Sequence, residues 1–591
     1  MRKVLIILAI ALFLPFSAFA LEELNPPLVS SMRVEVVQTG SIDLNGFADI
    51  LIMNITIPQE DNYQKVQIEY APQGYELVTD NFGNRLMKMT WNNPGSSVSY
   101  QVKSIVTIER RLSASLPDVK EFKLPSSQIQ SDNPRIVGLA ENITVGQTSA
   151  FAKVALLSKW THENIKYDLN YANVNLSALD TLNNMAGVCD EFSAIDIAMG
   201  RSLGYPSAYV VGYAYGRGYK LANDFVPHGW TEVCTPEGCW PSDPTWAETG
   251  FLDATHIKFA TLADNYFPEV VATARGSQGT SMKINPTDVK ISILDYREEP
   301  LIRTENTLLQ ERLWNGYAVV RTDMNTTGCV LTNLVSKSCI SEGKEFVVPL
   351  VPEKIVYFCG SRSIYSAFRL PEGLNKNVRY TCELIAYPYA GEDKRQNIIL
   401  DSKESTSKVV SLSIDKTTLV PGEKFSVSSP GAWIFTDYNR QALDSAEWYA
   451  PSEDFKVYAY SKGGLAVKDM KVVLSKPFEL AVSSEEQNIT LGENATISVG
   501  VKNLLQSEQV VRLSSGEQEK TLTIPGGGTQ SVEFTFKPAS ADDSIAQVVA
   551  SSSSFSTSSS IRFNVREERG IFGFFDSIYA ALMALLAGFF G

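Results

Sequence analysis

The chain has few of the residues that bind metals, with three histidines and seven cysteines among 591 residues. No two cysteines are separated by only two residues, the spacing typical of structural zinc sites, so we expect no metal and no cofactor. Positive charge is also in the minority, with 52 lysines and arginines against 66 aspartates and glutamates. Because phosphate binding needs clustered positive charge, this balance argues against nucleic acid as a partner.

The N-terminus has the three parts of a secretory signal peptide. Positive charge at Arg2 and Lys3 is followed by an apolar run over residues 4–16 and by small residues at Ala18 and Ala20. Cleavage after Ala20 would remove residues 1–20 and place the rest of the chain outside the cytosol. Asn-x-Ser/Thr sequences permit glycosylation there. They start at Asn54, Asn142, Asn175, Asn325, Asn488 and Asn494.

The cysteine count is odd, which leaves one thiol unpaired in a compartment that favours disulfides. Pairing each cysteine with its sequence neighbour leaves Cys189 free. An unpaired cysteine in a secreted protein is either an intermolecular linker or a reactive thiol. The bridges predicted in this way are Cys234–Cys239, Cys329–Cys339 and Cys359–Cys382.

Cys189, His228 and Asp243 lie in three short strings that together have a chemical meaning. A thiol, an imidazole and a carboxylate are the parts of a cysteine nucleophile with its base and the residue that orients the base. A lone histidine or a lone buried cysteine is usually structural, but three strings in this order favour a catalytic site. The strings are Gly187–Cys189, His228–Glu232 and Trp240–Thr245.

These strings resemble the transglutaminase-like superfamily, whose members carry G-x-C at a helix start, H-x-W-x-E in a strand and then W-x-x-D-P-T. The resemblance covers residues 145–265 and is to domains found in prokaryotic, including archaeal, surface proteins. It implies an acyl-thioester on Cys189, proton transfer by His228 and orientation of that base by Asp243. Asp190 follows the nucleophile where animal transglutaminases have tryptophan, which favours hydrolysis over cross-linking.

A helix is predicted to begin at Cys189, because apolar residues recur at intervals of three or four over residues 192–203. In the first turn of that helix, free backbone N–H groups and the positive end of the helix dipole favour an anion. We therefore expect the helix and His228 to lower the pKa of the Cys189 thiol, and the Cys189 N–H to act as an oxyanion donor. Asp190 and Glu191 are expected only to complement the helix dipole.

A predicted hairpin places the second half of the site. The segment Thr235–Gly238 has proline and glycine where a type I turn prefers them, so Cys234 would face Cys239 across two antiparallel strands. In that register His228 and Asp243 lie on one face as diagonal neighbours, about 7–8 Å apart at Cα and within side-chain reach. The disulfide would hold this hairpin together.

The predicted fold is a multidomain chain in which a papain-like α+β catalytic domain is flanked by β-sandwich domains, with a C-terminal hydrophobic helix. Strand-like alternation fills residues 28–112, residues 150–165 are predicted to form a helix, and residues 208–215 a buried strand. Strands return from about residue 300, and two late segments share a pattern typical of Ig-like modules. The predicted domains are 21–135 (N-terminal β-domain), 140–270 (transglutaminase-like catalytic domain), 300–410 (disulfide-containing β-domain), and 411–477 and 478–566 (Ig-like β-sandwiches).

Residues 571–591 are almost all apolar, with Asp576 as the only charge. A helix of this length could cross about 30 Å of hydrocarbon. No basic residue follows the segment, whereas Arg566 and Arg569 precede it, contrary to the usual charge asymmetry of spanning helices. Residues 570–591 are therefore predicted to anchor the chain in a membrane, as a spanning helix or as an interfacial one.

Together these features predict a thiol enzyme, anchored outside the cytosol at the cell surface, that acts on a protein or peptide substrate. With water as acceptor it would be a peptidase or amidase, which we expect over the alternative of a transglutaminase that cross-links surface proteins. A third alternative is a non-catalytic adhesion module in which the β-domains bind and the middle domain only packs. The unpaired Cys189 argues against that alternative.

Overall fold

The computed structural model describes residues 24–566, apart from residues 217–223, 266, 268, 342–343, 405–407, 422, 439, 452–453, 474–477, 505–508, 539–544 and 553–555. The expected signal peptide, residues 1–20, and the expected membrane anchor, residues 570–591, both lie outside the described residues. Across the part of the chain that is described, helices are too short or too polar to cross a membrane.

Most of the regular structure consists of β-strands, and the described α-helices all lie within residues 134–202. The first strands are β1 (Val29–Asn45), β2 (Ala48–Thr56), β3 (Gln64–Tyr70), β4 (Glu76–Thr79), β5 (Arg85–Asn92) and β6 (Ser97–Glu109). The helices and the strands that accompany them are α1 (Pro134–Ile143), α2 (Ala150–Asn164), β7 (Lys166–Tyr167), α3 (Ala178–Asn184), β8 (Ala186–Gly187), α4 (Cys189–Ser202), β9 (Ser207–Tyr215), β10 (Phe225–Thr235), β11 (Gly238–Asp243), β12 (Glu248–Thr249) and β13 (Ile257–Leu262).

The rest of the described chain is all β. Its strands are β14 (Val270–Gly276), β15 (Ser281–Ile284), β16 (Asp288–Glu298), β17 (Arg303–Leu308), β18 (Arg312–Leu313), β19 (Tyr317–Lys337), β20 (Ile340–Ser341), β21 (Lys344–Glu345), β22 (Val348–Pro349), β23 (Glu353–Arg369), β24 (Tyr380–Pro388), β25 (Arg395–Leu400), β26 (Ser413–Ile414), β27 (Thr418–Leu419), β28 (Lys424–Thr436), β29 (Gln441–Tyr449), β30 (Phe455–Ser461) and β31 (Gly464–Val472). The last strands are β32 (Phe478–Ser483), β33 (Asn488–Thr490), β34 (Ala495–Asn503), β35 (Gln509–Ser515), β36 (Gln518–Ile524), β37 (Thr529–Phe536), β38 (Ile545–Ser551), β39 (Ser556–Arg562) and β40 (Asn564–Arg566).

The N-terminal β-region is completed by strands from much later in the chain. β1 pairs with β6 on one side and with β15 and β16 on the other, while β2 pairs with β5 and β14. Alternate residues of β1, such as Val34 and Val36, are buried, as expected of strands with one face on a core. The chain therefore leaves this region after β6, builds the helical segment, and returns with β14–β16.

The helical segment packs on one sheet that carries the predicted hairpin. The strand order is β13-β9-β10-β11-β12, and α4 lies against β9 and β10. The apolar side of α4 is fully buried at Phe192, Ile195 and Met199, which explains why the three-to-four spacing predicted a helix there. The predicted helix over residues 150–165 is α2, and the predicted strand over residues 208–215 is β9.

The same sheet continues into the region that follows residue 300. β12 pairs with β19 through Thr249 and Leu331, so the sheet that holds the hairpin also holds strands of the disulfide-containing region. Phe151 of α2 packs in one buried cluster with Leu331 and Ile355. The multidomain, mostly β architecture with one α+β segment agrees with the predicted fold class, although the two regions share a continuous sheet.

Two of the three predicted disulfides are wrong. Cys234–Cys239 is present as predicted, but the other bridges are Cys329–Cys359 and Cys339–Cys382. β19 and β23 run antiparallel with Cys329 directly opposite Cys359, so strand register and not sequence proximity decides the partner. Cys189 is the one free cysteine.

Peptide mapping of the non-reduced protein should recover the Cys329–Cys359 and Cys339–Cys382 bridges. Iodoacetamide should label Cys189 alone, slowly in the native protein and rapidly in denaturant, because that side chain is only 8% exposed. A recovered peptide pair joined through Cys329 and Cys339, or a second alkylated cysteine, would contradict this prediction.

Candidate active site

Cys189 is held at the start of α4 by a carboxylate that folds back onto the preceding turn. The Glu191 side chain accepts hydrogen bonds from the Val188 N–H at 2.8 Å and from the Leu176 N–H at 3.0 Å. A Cβ on Gly187 would collide with the Glu191 side chain, which explains the glycine two residues before the cysteine. Glu191 is fully buried and fixes the turn that carries the thiol, a larger role than the dipole complement expected from the sequence.

The thiol of Cys189 lies in a closed environment. It donates a hydrogen bond to Asp190 Oδ1 at 3.5 Å, and the Gly229 N–H points at the sulfur. Burial raises the pKa of the Cys189 thiol well above its usual value; the carboxylates of Asp190 and Asp243 raise it further, while the Gly229 N–H opposes them. The expected lowering of this pKa is therefore wrong. The resting group is the thiol, so a base must take its proton during attack.

The hairpin of β10 and β11 has the predicted register. Thr231 pairs with Ser242 and Cys234 pairs with Cys239. At the open end of the hairpin, His228 Nε2 lies 2.8 Å from Asp243 Oδ2, with both side chains buried.

Because Nε2 of His228 is engaged by Asp243, Nδ1 is the ring nitrogen left to accept the thiol proton. Among the described residues the sulfur contacts Asp190 and the N–H of Gly229, the residue that follows His228, but it makes no hydrogen bond to the His228 ring. Bonds between a nucleophile and its base often form only when substrate is bound. The structure thus brings His228 into contact with Asp243, and the sulfur of Cys189 to the residue that follows His228.

Gly229 leaves room for the Tyr209 side chain beside the strand that carries His228. A Cβ at this position would collide with the Tyr209 ring and hydroxyl. That hydroxyl donates to Asp190 Oδ1 at 2.7 Å and so holds the carboxylate that flanks the sulfur. Tyr209 of β9 thus links two parts of the site. It packs against Gly229 of β10, and it bonds to Asp190 in the first turn of α4.

Asp243 is a fully buried carboxylate that accepts hydrogen bonds on both oxygens. Oδ1 receives the Thr245 N–H at 2.8 Å and the Trp246 N–H at 3.4 Å, while Oδ2 receives His228 at 2.8 Å and His256 at 3.3 Å. Burial alone would raise the pKa of Asp243, but the two imidazoles outweigh it and hold that pKa well below its usual range. Asp243 is therefore ionised and available to stabilise an imidazolium.

Aromatic rings fix the plane of His228. The Trp246 ring stacks on it with centroids 4.2 Å apart and an interplanar angle of 14°, and Trp230 lies 6.1 Å away at 26°. Both tryptophans are at most 7% exposed. Packing of this kind limits rotation of the imidazole and keeps water from the side of the ring that faces the protein.

Comparison with known proteins agrees with the motifs. Residues 137–244 match the family model of the transglutaminase-like superfamily. This segment is a transglutaminase-like domain.

An uncharacterised protein of Mycobacterium leprae is 29% identical over 116 residues, which are 19% of this chain and 41% of that protein. The chain therefore aligns with less than half the length of this relative. Among solved structures, a candidate cysteine protease from Cytophaga hutchinsonii shares 21% identity, covering 46% of this chain and 93% of that one, with a TM-score of 0.34. Red sea bream transglutaminase shares 9% identity, covering 88% and 92% of the two chains, with a TM-score of 0.18.

Two other histidines contribute to the transglutaminase-like domain, and the sequence motifs had assigned neither of them. Nδ1 of His162 in α2 lies 3.0 Å from the Thr245 carbonyl and 3.2 Å from the Pro244 carbonyl, and so ties α2 to the loop after Asp243. His256 contacts Asp243 itself. All three histidines of the chain therefore contact residues 243–246, and neither the composition nor the motifs could show this, because the contacts depend on the tertiary structure.

Glu232, the last residue of the string His228–Glu232, has a structural role. Glu232 is fully buried and pairs with Lys258 through contacts of 2.9 and 3.0 Å. This ion pair joins β10 to β13 across β9. Replacing either partner alone would leave a buried charge uncompensated, so Glu232 and Lys258 depend on each other for their place in the sheet under the site.

Two groups of buried side chains bring three metal-ligating atoms within 4.8 Å of one another: His228, Asp243 and His256, and Glu248, Asp253 and His256. In the first group Asp243 accepts hydrogen bonds from both imidazoles, so those nitrogens act as donors. These hydrogen bonds account for the approach of the atoms in the first group.

A second buried acid, Asp196, lies behind the hairpin on α4. The Thr231 hydroxyl is 3.0 Å from Asp196 Oδ2 and 3.1 Å from the Ser242 carbonyl, but it has one proton for two acceptors. A protonated Asp196 resolves this, because it can donate to Thr231 while Thr231 donates to Ser242. Burial raises the pKa of Asp196 to about 7, and the nearby Asp243 carboxylate contributes in the same direction.

Asp196→Asn should remove part of the pH dependence of stability. Because the pKa of Asp196 is raised on folding, its favourable contribution is complete below the unfolded value near 4 and is lost as the pH rises to about 7. The unfolding free energy of wild type relative to the variant should therefore fall between pH 4 and pH 8, by on the order of 2–4 kcal/mol. Thermal unfolding at matched pH values measures this difference, and a difference independent of pH would contradict the prediction.

Proposed function

We propose that the chain is an extracytoplasmic cysteine hydrolase that acts on peptide or side-chain amides through an acyl-thioester on Cys189. The observation that carries the proposal is the His228–Asp243 hydrogen bond of 2.8 Å beside the one free cysteine, which lies at a helix N-terminus. The transglutaminase-like domain supports the same class of chemistry, in which a base activates a thiol for attack on a carbonyl.

In the first step, Nδ1 of His228 accepts the thiol proton as the sulfur of Cys189 attacks the carbonyl carbon of the amide. The carboxylate of Asp243 stabilises the imidazolium that results. As the first residue of α4, Cys189 has a backbone N–H that lacks an acceptor within the helix, and this group is the candidate donor to the oxyanion.

In the second step, the carbon–nitrogen bond breaks and His228 gives its proton to the departing amine, which leaves the acyl group on sulfur. Water then attacks the thioester while His228 accepts one of its protons. The carbon–sulfur bond breaks, and return of the proton to sulfur restores the thiol.

The acceptor is proposed to be water because the position next to the nucleophile is polar. Asp190 lies 3.5 Å from the sulfur and is held by Tyr209, so a carboxylate, which attracts water, lies beside the sulfur on this side. The second candidate is transglutaminase activity. The Asp190 carboxylate favours it in one respect, because its negative charge attracts the ammonium group of an amine acceptor. An adhesive role without catalysis would give this buried cluster no function.

The location is proposed from two further observations. Three disulfides are typical of an extracytoplasmic environment. The signal-like segment 1–20 and the apolar segment 570–591 support export and anchoring at the cell surface.

A chain that ends at Val565 should leave the membrane fraction with which the full chain sediments; identical fractionation of the two would contradict the anchor.

Product analysis tests the activity. The full chain is incubated at neutral pH with a library of glutamine- and lysine-containing peptides, with and without a primary amine, and the products are identified by mass spectrometry. We expect cleaved or deamidated peptides in both arms. Isopeptide-linked or amine-tagged products without hydrolysis would establish the transglutaminase alternative, and the absence of any product that depends on Cys189 would leave the adhesion alternative.

A further inference from the structure

His256 contacts the same carboxylate oxygen that His228 uses. Its Nε2 lies 3.3 Å from Asp243 Oδ2, while its Nδ1 lies 3.3 Å from the Asp253 carbonyl oxygen and 3.5 Å from Asp253 Oδ1. The ring is 2% exposed and is clamped between the two acidic residues. None of the motifs that identify the domain includes this residue, which follows the third string by eleven positions.

The groups that face the two ring nitrogens of His256 are all acceptors. Asp243 Oδ2 is an ionised acceptor, so a nitrogen that approaches it must carry hydrogen. Asp253, which faces Nδ1, is itself held in place, because the Thr255 N–H and hydroxyl donate to its Oδ1 at 2.8 and 2.5 Å. Both ring nitrogens of His256 therefore face acceptors; Asp253 fixes the ring so that Nε2 points at Asp243, and the ionised carboxylate there favours hydrogen on Nε2.

This contact completes the support of the carboxylate. Backbone N–H groups of Thr245 and Trp246 hold Oδ1 of Asp243, whereas the donors to Oδ2 among the described residues are the two imidazoles. His228 must accept and release a proton in each cycle, and a carboxylate held on that side by His228 alone would follow its movements. A second donor on Oδ2 keeps the carboxylate in place, and a displacement of about 1 Å at such a site can cost on the order of 10²-fold in rate.

We infer that His256 is a positioning residue of the Cys189 site, which donates its Nε2–H to Asp243 and holds Oδ2 in line with His228. The inference rests on the proposed function, since it assigns a role to a residue that acts through Asp243. The surrounding aromatic rings agree with a fixed orientation, because Trp230 and Trp246 both meet the His256 ring edge-on, at 5.3 and 5.4 Å.

A matched set of variants at this position separates positioning from packing. Glutamine can place its amide nitrogen near the position of Nε2 and donate to Asp243, whereas asparagine reaches only the position of Nδ1 beside Asp253. Phenylalanine fills the space between the tryptophans but donates nothing. We expect His256→Gln to retain kcat within about threefold, and His256→Asn and His256→Phe to lose roughly tenfold to a hundredfold in kcat with little change in KM.

The rate at which iodoacetamide alkylates Cys189 is measured in the full chain of each variant, beside its turnover. This rate reports thiolate formation assisted by His228 and needs no substrate, so it tests the positioning role even if the proposed hydrolysis fails. The expected order is wild type, then Gln, then Asn and Phe. Equal rates for Gln and Asn, or the highest rate in the Phe variant, would overturn the inference, whereas turnover that persists in Cys189→Ala would overturn the proposed function instead.

A measurement on the unaltered protein guards against variants that fail to fold. Because the chain has three histidines, labelling with ¹⁵N-histidine gives three imidazole signal sets, which His256→Gln and His162→Gln assign. We expect the Nε2 of His256 to carry a proton that is protected from exchange with water. An Nε2 without a proton, or a rapidly exchanging one, would overturn the inference.

Discussion

Cys189→Ala should abolish turnover and leave the fold intact. Without the sulfur no acyl-thioester forms, so the expected loss of kcat/KM is on the order of 10⁴-fold or more. The cost in stability should be about 1 kcal/mol or less, because the change removes a single buried atom whose polar contacts are a long bond to Asp190 and the Gly229 N–H. Turnover with the substrate found by product analysis and the melting temperature are measured together.

Ser193→Ala is the matched control for this substitution. Ser193 lies one turn further along α4, is fully buried, and its hydroxyl has no hydrogen-bond partner among the described residues. Removing that oxygen should leave turnover near the wild-type value. Cys189→Ala activity equal to that of Ser193→Ala would show that the thiol is not the nucleophile.

Asp243→Asn should reduce kcat by on the order of 10³–10⁴-fold. Each carboxylate oxygen of Asp243 faces donors only, two backbone N–H groups on Oδ1 and two imidazoles on Oδ2. An amide has one oxygen and one NH₂ group. The NH₂ group must therefore face either the two backbone N–H donors or the two imidazole donors. Whichever orientation the amide takes, His228 loses either its orientation or its counter-charge, and stability falls by about 1–3 kcal/mol.

Asp196→Asn gives the corresponding control for a buried aspartate. Its carboxyl group contacts Thr231 rather than His228, and the raised pKa already makes it neutral below about pH 7. Its kcat should stay within a few-fold of wild type at pH 6, where the amide replaces a protonated acid of similar shape. Similar losses in Asp196→Asn and Asp243→Asn would mean that general damage to the buried layer, and not loss of the orienting carboxylate, slows the enzyme.

Local chemistry in the sequence was sufficient for the parts of the site that lie close together along the chain. The turn at Thr235–Gly238 determines the register of β10 and β11, and that register places His228 beside Asp243. The start of α4 is fixed by Glu191, whose side chain accepts a hydrogen bond from the Val188 N–H three residues earlier. Both features depend on hydrogen bonds between near neighbours, so a short stretch of sequence contains the information that specifies them.

The tertiary structure decided everything that depends on which distant segments meet. The thiol of Cys189 is buried against Asp190 and Asp243, so its pKa rises although its place at a helix N-terminus suggested the reverse. Cys329 pairs with Cys359 because β19 and β23 are neighbours, and His256 reaches Asp243 because β13 returns beside β9. Alternation of apolar residues shows that a strand has a buried face but not which strand will lie next to it, since backbone hydrogen bonds are the same for every partner.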